Sequence, residues 1–177
     1  MKKKILDLGS GLKKNNDAIR VDVNPKVNPD IVHDLNNFPY PFENQYFDKI
    51  IMDNVIGELN NFWKVMDEIY RISKIGADIV IIVPYFRSSY AFIQPNLKSF
   101  FTVETFEFFN PNNEKYKRYK YSNSTFEVTK LRFNEGFKLG FMKSIIRYIA
   151  NKNPNFYERI LSHLIPLESV TFYLKKI

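Results

Sequence analysis

The stretch of sequence that decides the fold reads Ile5-Leu6-Asp7-Leu8-Gly9-Ser10-Gly11. Its apolar residues predict a strand, Lys4–Leu8, that runs directly into a glycine loop. Such a loop lets the backbone approach a ligand closely, because glycine has no Cβ to intrude. Two glycines also suit an ordinary turn after a strand, so the motif alone leaves both interpretations open. The third glycine of a dinucleotide-binding fingerprint is replaced by Lys14, which disfavours a pyrophosphate ligand.

Further apolar runs predict the other strands of the first half of the chain. They are separated by turn residues and cover Ile19–Val23, Asp30–His33, Phe47–Met52 and Asp78–Val83. The last run is almost entirely β-branched, as expected of a central parallel strand. Before it, apolar residues at helical spacing predict a helix over Asn60–Ser73, with Gly76 as its stop signal. Strand, helix and strand in this order form a βαβ unit, so the predicted class is α/β with a mostly parallel sheet.

The first two connections between these strands are unusually short. The segment Gly9–Ala18 leaves room for one helical turn, and the segment Asn24–Pro29 contains two prolines. Because a parallel crossover normally needs a dozen or more residues, we predict that the first crossover helices are shortened. Part of one sheet face then needs another cover.

The second half of the chain offers a candidate for that cover. The segment Phe141–Ile165 is predicted to be helical with an interruption near Pro154, and a second subunit of a homodimer is the alternative cover. The apolar residues that we expect to be buried there are Ile145, Ile146, Ile149, Leu161 and Ile165. The remaining elements are a short capped helix over Thr102–Phe109 and two strands, Phe126–Phe133 and Val170–Lys175.

Composition excludes several classes of protein. The chain has 177 residues, no cysteine and two histidines, so disulfides and zinc–thiolate sites are excluded and we expect no metal centre. The absence of cysteine makes a cytoplasmic location the expectation. No apolar run approaches the roughly 18 residues of a transmembrane segment.

The net charge of +7 raises the question of a nucleic-acid partner. The densest basic cluster is interleaved with aromatic residues and comprises Lys115, Tyr116, Lys117, Arg118, Tyr119, Lys120 and Tyr121. Such interleaving suits single-stranded nucleic acid or another polyanion. A solvated basic loop explains it equally well, because the remaining charge is scattered along the chain.

Three carboxylates follow three successive predicted strands. Asp7 precedes the glycine loop, Asp22 ends the second strand, and Asp34 ends the third. The carboxyl ends of parallel strands border the crevice in which open α/β sheets bind their ligands. An acidic residue at the end of the second strand suits both hydroxyls of a ribose, although each acid alone is also compatible with a polar strand end. Together they predict a site for a cationic, nucleoside-containing ligand.

The combined motifs resemble the nucleoside-binding core of class I S-adenosylmethionine-dependent methyltransferases. The resemblance extends from Ile5 to Phe109 and is closest to small bacterial and archaeal members. It rests on Leu6–Gly11, Val21-Asp22, His33-Asp34-Leu35, Phe38–Phe42, Phe47-Asp48, Glu68–Ile72 and Pro84-Tyr85. It implies a Rossmann-like sheet of seven strands with an antiparallel C-terminal strand, and S-adenosyl-L-methionine as the cofactor.

The resemblance also implies roles for individual residues. In such enzymes the glycine loop and the acid before it hold the methionine moiety, here Asp7, Leu8, Gly9, Ser10 and Gly11. The ribose is held by Asp22 with its neighbour Val23, and the adenine by Asp34 and Leu35. Asp53 and Asn54 are expected to face the site of methyl transfer. Residues 1–177 are then one domain, with a cofactor-binding core at 1–110 and an acceptor-side, sheet-completing region at 111–177.

The acceptor side departs from the related pattern. Gly57-Glu58 and Gln94–Leu97 stand where the group often carries histidines. The remaining candidates for a catalytic base are Glu58 and His33, and Tyr85 is a candidate orienting group. Each has a simpler interpretation: a charge at a helix start, a histidine bonded to backbone, and a partly buried aromatic residue.

Three functions therefore stay open at this point. The first is methyl transfer to a small-molecule or glycan-type acceptor, which we favour. The second is methylation of RNA or another polyanion, suggested by the charge. The third is a non-catalytic protein of methyltransferase fold that serves as a partner subunit.

Overall fold

A mixed seven-stranded sheet organises the residues that the computed structural model describes, namely 3–13, 15–134 and 141–177. The strand order is β3-β2-β1-β4-β5-β7-β6. The strands are β1 Ile5–Leu8, β2 Ala18–Asp22, β3 Ile31–Val32, β4 Phe47–Asp53, β5 Ser73–Pro84, β6 Phe126–Phe133 and β7 Ser169–Lys176. Strands β1 to β5 pair in parallel, whereas β7 runs antiparallel to both of its neighbours. The predicted mostly parallel, Rossmann-like sheet with an antiparallel C-terminal strand is confirmed.

The first connections lack α-helices, as their lengths predict. Between β1 and β2 the described residues form only turns. Between β2 and β3 the chain makes one 3-10 turn, Pro25–Val27, whose first turn is capped by the Asn24 side chain. The described chain therefore joins β1, β2 and β3 through loops that leave one face of these strands without a crossover helix.

Helix α1, Phe62–Ile72, is the crossover between β4 and β5. The Asn61 side chain caps its start by accepting a hydrogen bond from the Lys64 backbone N–H. Its apolar side buries Val65, Met66, Ile69 and Ile72. The prediction that Gly76 stops this helix is wrong. The chain becomes extended at Ser73, which pairs with Phe47, and Gly76 lies inside β5 with a φ of 78°.

The described residues form further helices of three to twelve residues. They are α2 Tyr90–Ile93, α3 Glu114–Tyr119, α4 Phe141–Lys152 and α5 Pro154–Arg159, together with 3-10 helices at Ile56–Glu58, Thr105–Phe109 and Leu161–His163. The predicted helix at Thr102–Phe109 is thus a 3-10 helix over its second half. The predicted interruption near Pro154 is confirmed, because Asn153 ends one helix and its side chain caps the next. No helix within the described ranges is long and apolar enough to cross a membrane.

The hydrophobic core lies against one face of the sheet. Directly paired residues such as Leu8, Met52 and Ile81 are fully buried on that face. Aromatic rings extend the core toward the far edge: the ring centroids of Phe106 and Phe172 are 4.7 Å apart, as are those of Phe133 and Tyr157. The opposite face is only half-buried at Ile5, Ile51, Val80, Ile82 and Tyr173.

The C-terminal helices do not cover this second face. Tyr157 packs against Phe133, which belongs to the core face. The Asn151 side chain bonds both the N–H and the C=O of Phe133, and this fixes the orientation of α4 so that Ala150 turns inward. The predicted burial is therefore wrong for Ile145, which is exposed. It is only partial for Ile146, Ile149, Leu161 and Ile165.

Candidate functional site

A crevice of about 300 Å³ lies at the carboxyl ends of β1 to β4. Its lining carries four carboxylates and one histidine as ionisable groups. The lining residues are Gly9, Asp22, Val23, His33, Asp34, Leu35, Asn36, Asp53, Asn54, Val55, Glu58 and Leu59. The structure therefore brings together most of the positions that the sequence predicts for ligand binding. The excess of carboxylates suits a cationic ligand.

The glycine loop forms one wall of the crevice. The backbone N–H groups of Gly9 and Ser10 both donate to the Val21 carbonyl, at 2.8 and 3.1 Å. Gly9 has a φ of 70°, and a Cβ at this position would lie 2.6 Å from a methyl carbon of Val55. Only glycine fits between this loop and Val55 without displacing it. The loop is thus held close to the neighbouring strand and leaves its backbone open to a ligand.

Asp22 fastens the glycine loop from the end of β2. One carboxylate oxygen accepts a hydrogen bond from the Gly11 N–H at 2.8 Å, and the other accepts one from the Asn24 N–H at 2.9 Å. Each oxygen keeps a second lone pair for a ligand hydroxyl. The side chain therefore orders the loop in addition to facing the crevice, a role that the sequence does not predict.

Asp34 and Leu35 form the opposite wall. The Asp34 carboxylate accepts hydrogen bonds from the backbone and side-chain amides of Asn36, at 2.9 and 3.0 Å. Leu35 is buried, and its carbonyl accepts a hydrogen bond from the Tyr40 hydroxyl at 3.0 Å. His33 Nε2 lies 3.0 Å from the Asn37 carbonyl, so this ring is bonded to backbone as its simpler interpretation predicts.

A charged pair on α1 supports this wall from behind. Glu68 accepts a hydrogen bond from the Tyr40 N–H at 2.7 Å, and Arg71 donates to the carbonyls of Tyr40 and Phe42 at 3.0 and 2.8 Å. Partial burial acts to raise the pKa of Glu68, but the hydrogen bonds from Arg71 and Tyr40 outweigh it and hold the pKa below its usual value. The pair thereby fixes the Phe38–Phe42 loop and, through Tyr40, the position of Leu35.

Asp7 and Ser10 line a second cavity of about 490 Å³, which shares Asp53 with the first. Burial raises the pKa of Asp7, and the nearby Asp53 raises it further. Lys13 pairs with Asp53. The Ser10 hydroxyl is buried without a hydrogen-bond partner among the described residues. A buried acid with a raised pKa beside an unpaired hydroxyl suits a ligand ammonium group.

Glu58 is the crevice carboxylate with the greatest freedom to react. It ends the 3-10 helix Ile56–Glu58 and is half-buried. Within the described part of the chain, its carboxylate has neither a cationic partner nor a hydrogen-bond donor. The carboxylates of Asp22, Asp34 and Asp53 are by contrast already engaged. This arrangement can accept a proton from a group bound in the crevice.

Tyr85 does not occupy the position that the sequence suggests. It is fully buried between Phe133 and Tyr157 and does not line the crevice. Burial raises the pKa of its hydroxyl. The orienting role assigned to Tyr85 is not supported by this position, because β5 turns its side chain into the core.

Three crevice residues are missed by sequence reasoning. Asn36 has a recognisable signal, since an Asp-x-Asn step forms a turn in which the side chain bonds backbone two residues on. The side-chain oxygen of Asn36 also accepts a hydrogen bond from the Asn60 backbone N–H at 2.8 Å. Val55 and Leu59 carry no such signal, because only the approach of β4 to the glycine loop places them at the crevice.

Solved structures provide the comparison for this geometry. A S-adenosylmethionine-dependent methyltransferase of Archaeoglobus fulgidus superposes with a TM-score of 0.60 at 18% identity, over 98% of this chain and 86% of that one. One from Mesorhizobium loti gives a TM-score of 0.60 at 11% identity, over 98% and 91% of the two chains. This is the class I methyltransferase fold. No family model and no curated protein matches the sequence.

A third structure adds a partner to the comparison. It is a complex from Haloferax volcanii in which a protein of the methyltransferase fold is bound to the Trm112 methyltransferase activator. It superposes with a TM-score of 0.60 at 14% identity, over 99% of this chain and 82% of that one. At such identities the likeness establishes the methyltransferase fold, and S-adenosylmethionine is the cofactor that the names of the first two neighbours indicate.

Proposed function

We propose that the chain transfers a methyl group from S-adenosylmethionine to a small-molecule or glycan-type acceptor. The observation that carries this proposal is the crevice itself: four carboxylates meet a glycine loop at the carboxyl ends of parallel strands. Residues 1–110 would form the cofactor-binding core of a single domain, and residues 111–177 would complete the sheet and the acceptor side. The absence of cysteine favours a cytoplasmic location.

The residues present fit the chemical groups of the cofactor. Asp22 would accept the two ribose hydroxyls, and Asp34 with the buried Leu35 would hold the adenine. Asp7 and the unpaired Ser10 hydroxyl would receive the ammonium end of the methionine moiety. Asp53, which lines both cavities, would contribute with the other carboxylates to lowering the energy of a sulfonium cation.

When bound, the cofactor would supply an activated methyl carbon, and the acceptor atom would take the place of sulfur on that carbon. The protein's main contribution would be to align acceptor and methyl group. A phenol, hydroxyl or amine acceptor would also have to release a proton. Glu58 would take that proton, since its carboxylate lines the crevice and has no competing partner among the described residues. His33 would be the alternative, although its Nε2 already faces a carbonyl.

The polyanion alternative has one favourable observation and one against it. Tyr119, the last residue of the basic helix α3, stacks on Tyr121 with ring centroids 5.5 Å apart. However, Lys115 pairs with Glu104, and Lys117 pairs with Glu114. Half of the cluster's lysine and arginine charge is therefore already compensated by carboxylates. This favours a small-molecule acceptor over a polyanion. The third alternative is a subunit that works with a partner, as the Haloferax volcanii complex illustrates.

Calorimetric titration with S-adenosylmethionine and its demethylated product tests the cofactor assignment. We expect Asp22→Ala to raise the dissociation constant about 30-fold to 1,000-fold, because it removes two charge-assisted hydrogen bonds. Asp22→Asn should weaken cofactor binding less than Asp22→Ala, since one acceptor oxygen remains. Asp78→Ala is the matched control, an exposed acid at the opposite end of the sheet. If the unaltered protein binds neither compound at millimolar concentration, the proposal fails.

The role of Glu58 needs a separate measurement. Release of demethylated cofactor is followed while the protein is offered phenols, amines and sugars as acceptors. With an acceptor that turns over, Glu58→Gln should retain cofactor affinity and lose roughly 100-fold or more in turnover, as expected for a general base. An unchanged rate would assign the proton to His33 or to water.

A further inference from the structure

Three exposed apolar side chains lie in and directly after α5. Phe156 is within the helix, Ile160 follows its last residue, and Leu164 follows the 3-10 helix Leu161–His163. Ile160 and Leu164 are 56% and 81% exposed. Isolated exposed apolar residues are ordinary, but a continuous row marks a contact surface. Tyr157, on the inward side of the same helix, is fully buried. The segment therefore uses Tyr157 for the core and leaves Phe156, Ile160 and Leu164 on the surface.

Helix α4 repeats this pattern. Ala150 and Asn151 face inward, where Asn151 bonds the Phe133 backbone. The outward side presents Met142, Ile145 and Tyr148, which are 68%, 43% and 65% exposed. Helices that lie on soluble surfaces normally turn polar side chains outward. We refer to these three residues together with Phe156, Ile160 and Leu164 as the apolar rim.

The apolar rim continues toward the crevice through α2. Phe92 and Ile93 are exposed, and the ring of Phe92 stacks on that of Phe100 with the centroids 5.3 Å apart. Arg87 precedes α2, and its Nη2 lies 3.2 Å from Nε2 of His163 at the edge of the rim. The same loop reaches the crevice, because the N–H groups of residues 98 and 99 both donate to the Gly57 carbonyl, next to Glu58. The rim thus borders the side from which an acceptor would enter.

The charges around the rim decide between its potential occupants. Glu158 is the only acidic residue between positions 141 and 165, and it is engaged with the Val103 N–H. Lys152 and Arg159 are exposed at the rim. Arg159 lies 3.9 Å from the Glu104 carboxylate, which Lys115 also contacts, so cations outnumber acids here as they do in the whole chain, whose net charge is +7. A second copy would bring these cations against each other, whereas an anionic surface would compensate them.

We propose that the apolar rim binds the surface of an anionic lipid bilayer. Apolar side chains bordered by lysine and arginine on surface-lying helices are the pattern of interfacial membrane attachment. Phe156, Ile160 and Leu164 insert between acyl chains, and Lys152 and Arg159 contact phosphate headgroups. On the proposed function, this orients the crevice toward acceptors held at the membrane surface.

Flotation with vesicles tests the attachment without any need for activity. The full chain is mixed with vesicles of phosphatidylcholine alone or with 30% phosphatidylglycerol. We expect binding to the anionic vesicles that weakens as salt is added. Ile160→Ser with Leu164→Ser should weaken partitioning at least about tenfold, because two apolar side chains lose their burial in the bilayer. Lys152→Glu should weaken it about fivefold or more.

The matched control is the double variant Val32→Ser with Ile75→Ser, which removes two similarly exposed apolar side chains far from the rim. It should bind vesicles like the unaltered protein. Because all of these positions are exposed, the thermal unfolding midpoint should be unchanged in every variant. Absence of vesicle binding, or equal loss in rim and control variants, would overturn the proposal. So would a dimer in light scattering that the rim substitutions dissociate. Cofactor titration, done without lipid, tests the methyltransferase proposal separately.

Discussion

The two halves of the sheet are stabilised in different ways. Strands β3, β2 and β1 have two, five and four residues. Their loops are held by hydrogen bonds that the carboxylates of Asp22 and Asp34 accept and by the Glu68–Arg71 pair. Strands β5, β7 and β6 have twelve, eight and eight residues and pack against a continuous group of aromatic rings. The ligand side is thus ordered by polar contacts, which a ligand can extend, and the far side by burial.

The largest effect should come from the aromatic half. Phe172 is fully buried against Phe106, so Phe172→Ala should lower the free energy of unfolding by about 3–5 kcal/mol through lost burial and a residual cavity. Urea denaturation measures the change. Tyr173→Ala, on the half-buried opposite face of the same strand, is the control and should cost clearly less. Equal losses would show that the second face is covered as well as the first.

The polar half should respond next, at Arg71. Arg71→Ala removes hydrogen bonds to two carbonyls and leaves Glu68 without its cation, so we expect a loss of about 2–3 kcal/mol in unfolding free energy. Arg71→Lys should restore little of this stability, because an ammonium group cannot reach all four hydrogen-bond partners of the guanidinium. Cofactor affinity should fall in parallel, since Tyr40 and Leu35 lose their support. A variant that loses stability but keeps full affinity would separate this network from the site.

Acidity provides an independent check on that network. The pKa of Glu68 is lower in the folded state than its ordinary value of 4.5, so its interactions contribute fully to the free energy of unfolding above that value. This contribution is lost as the pH falls through the lower, folded value. Unfolding free energies measured between pH 3 and pH 7 should therefore depend less steeply on pH in Glu68→Gln. An unchanged slope would contradict the assignment.

Gly9→Ala should have a smaller effect on stability and a clear one on binding. The left-handed conformation costs an alanine roughly 1–2 kcal/mol, and its Cβ would push Val55 aside. Gly11→Ala is the matched control, because it has a similar φ of 54° but open space around its Cβ. Thermal unfolding and calorimetric titration of both variants separate conformational strain from the collision with Val55. Equal cofactor affinity in the two would remove any special role of the Gly9–Val55 contact.

The smallest expected change is a gain in stability, in Asp7→Asn. Because burial and Asp53 raise the pKa of Asp7 in the folded state, the folded protein loses stability as the pH rises from the unfolded value through the raised one. The variant should be slightly more stable than the unaltered protein at pH 7 and nearly equal at pH 3. Its cofactor affinity should nevertheless be weaker at pH 7. A stability loss at pH 7 would mean that Asp7 is structural.

The sequence predicts the ligand half better than the aromatic half. Short-range motifs at Gly9, Asp22 and Asp34 specify turns and strand ends, so their meeting at one edge follows from parallel topology alone. The errors at Gly76 and Ile145 have another origin. Gly76 lies within the twelve-residue strand β5, and the hydrogen bonds between the Asn151 side chain and the Phe133 backbone of β6 set the rotation of α4. Both outcomes depend on tertiary contacts, which the spacing of apolar residues along the sequence does not reveal.

Tyr85 illustrates the same limit at the site. Its place after a central strand resembles that of a crevice residue. However, β7 pairs with β5 and Tyr157 of α5 packs against the Tyr85 ring, so the side chain is buried. The sequence identifies both Glu58 and Asp53 from their places at and after the end of β4. Only the structure shows that Asp53 is hydrogen-bonded and that Glu58, among the described residues, is not. Local pattern thus predicts which residues lie near the crevice, and hydrogen bonding decides which of them is available to react.

The strand order also affects how the protein is made. Strand β7 inserts between β5 and β6, so β5 must wait for some eighty further residues to be synthesised before its outer edge is paired. During that interval an emerging chain displays a long, apolar strand edge, which is the kind of edge that recruits other strands. Ribosome-bound chains that stop before residue 169 should therefore depend on chaperones, whereas chains extended beyond residue 176 should fold without them.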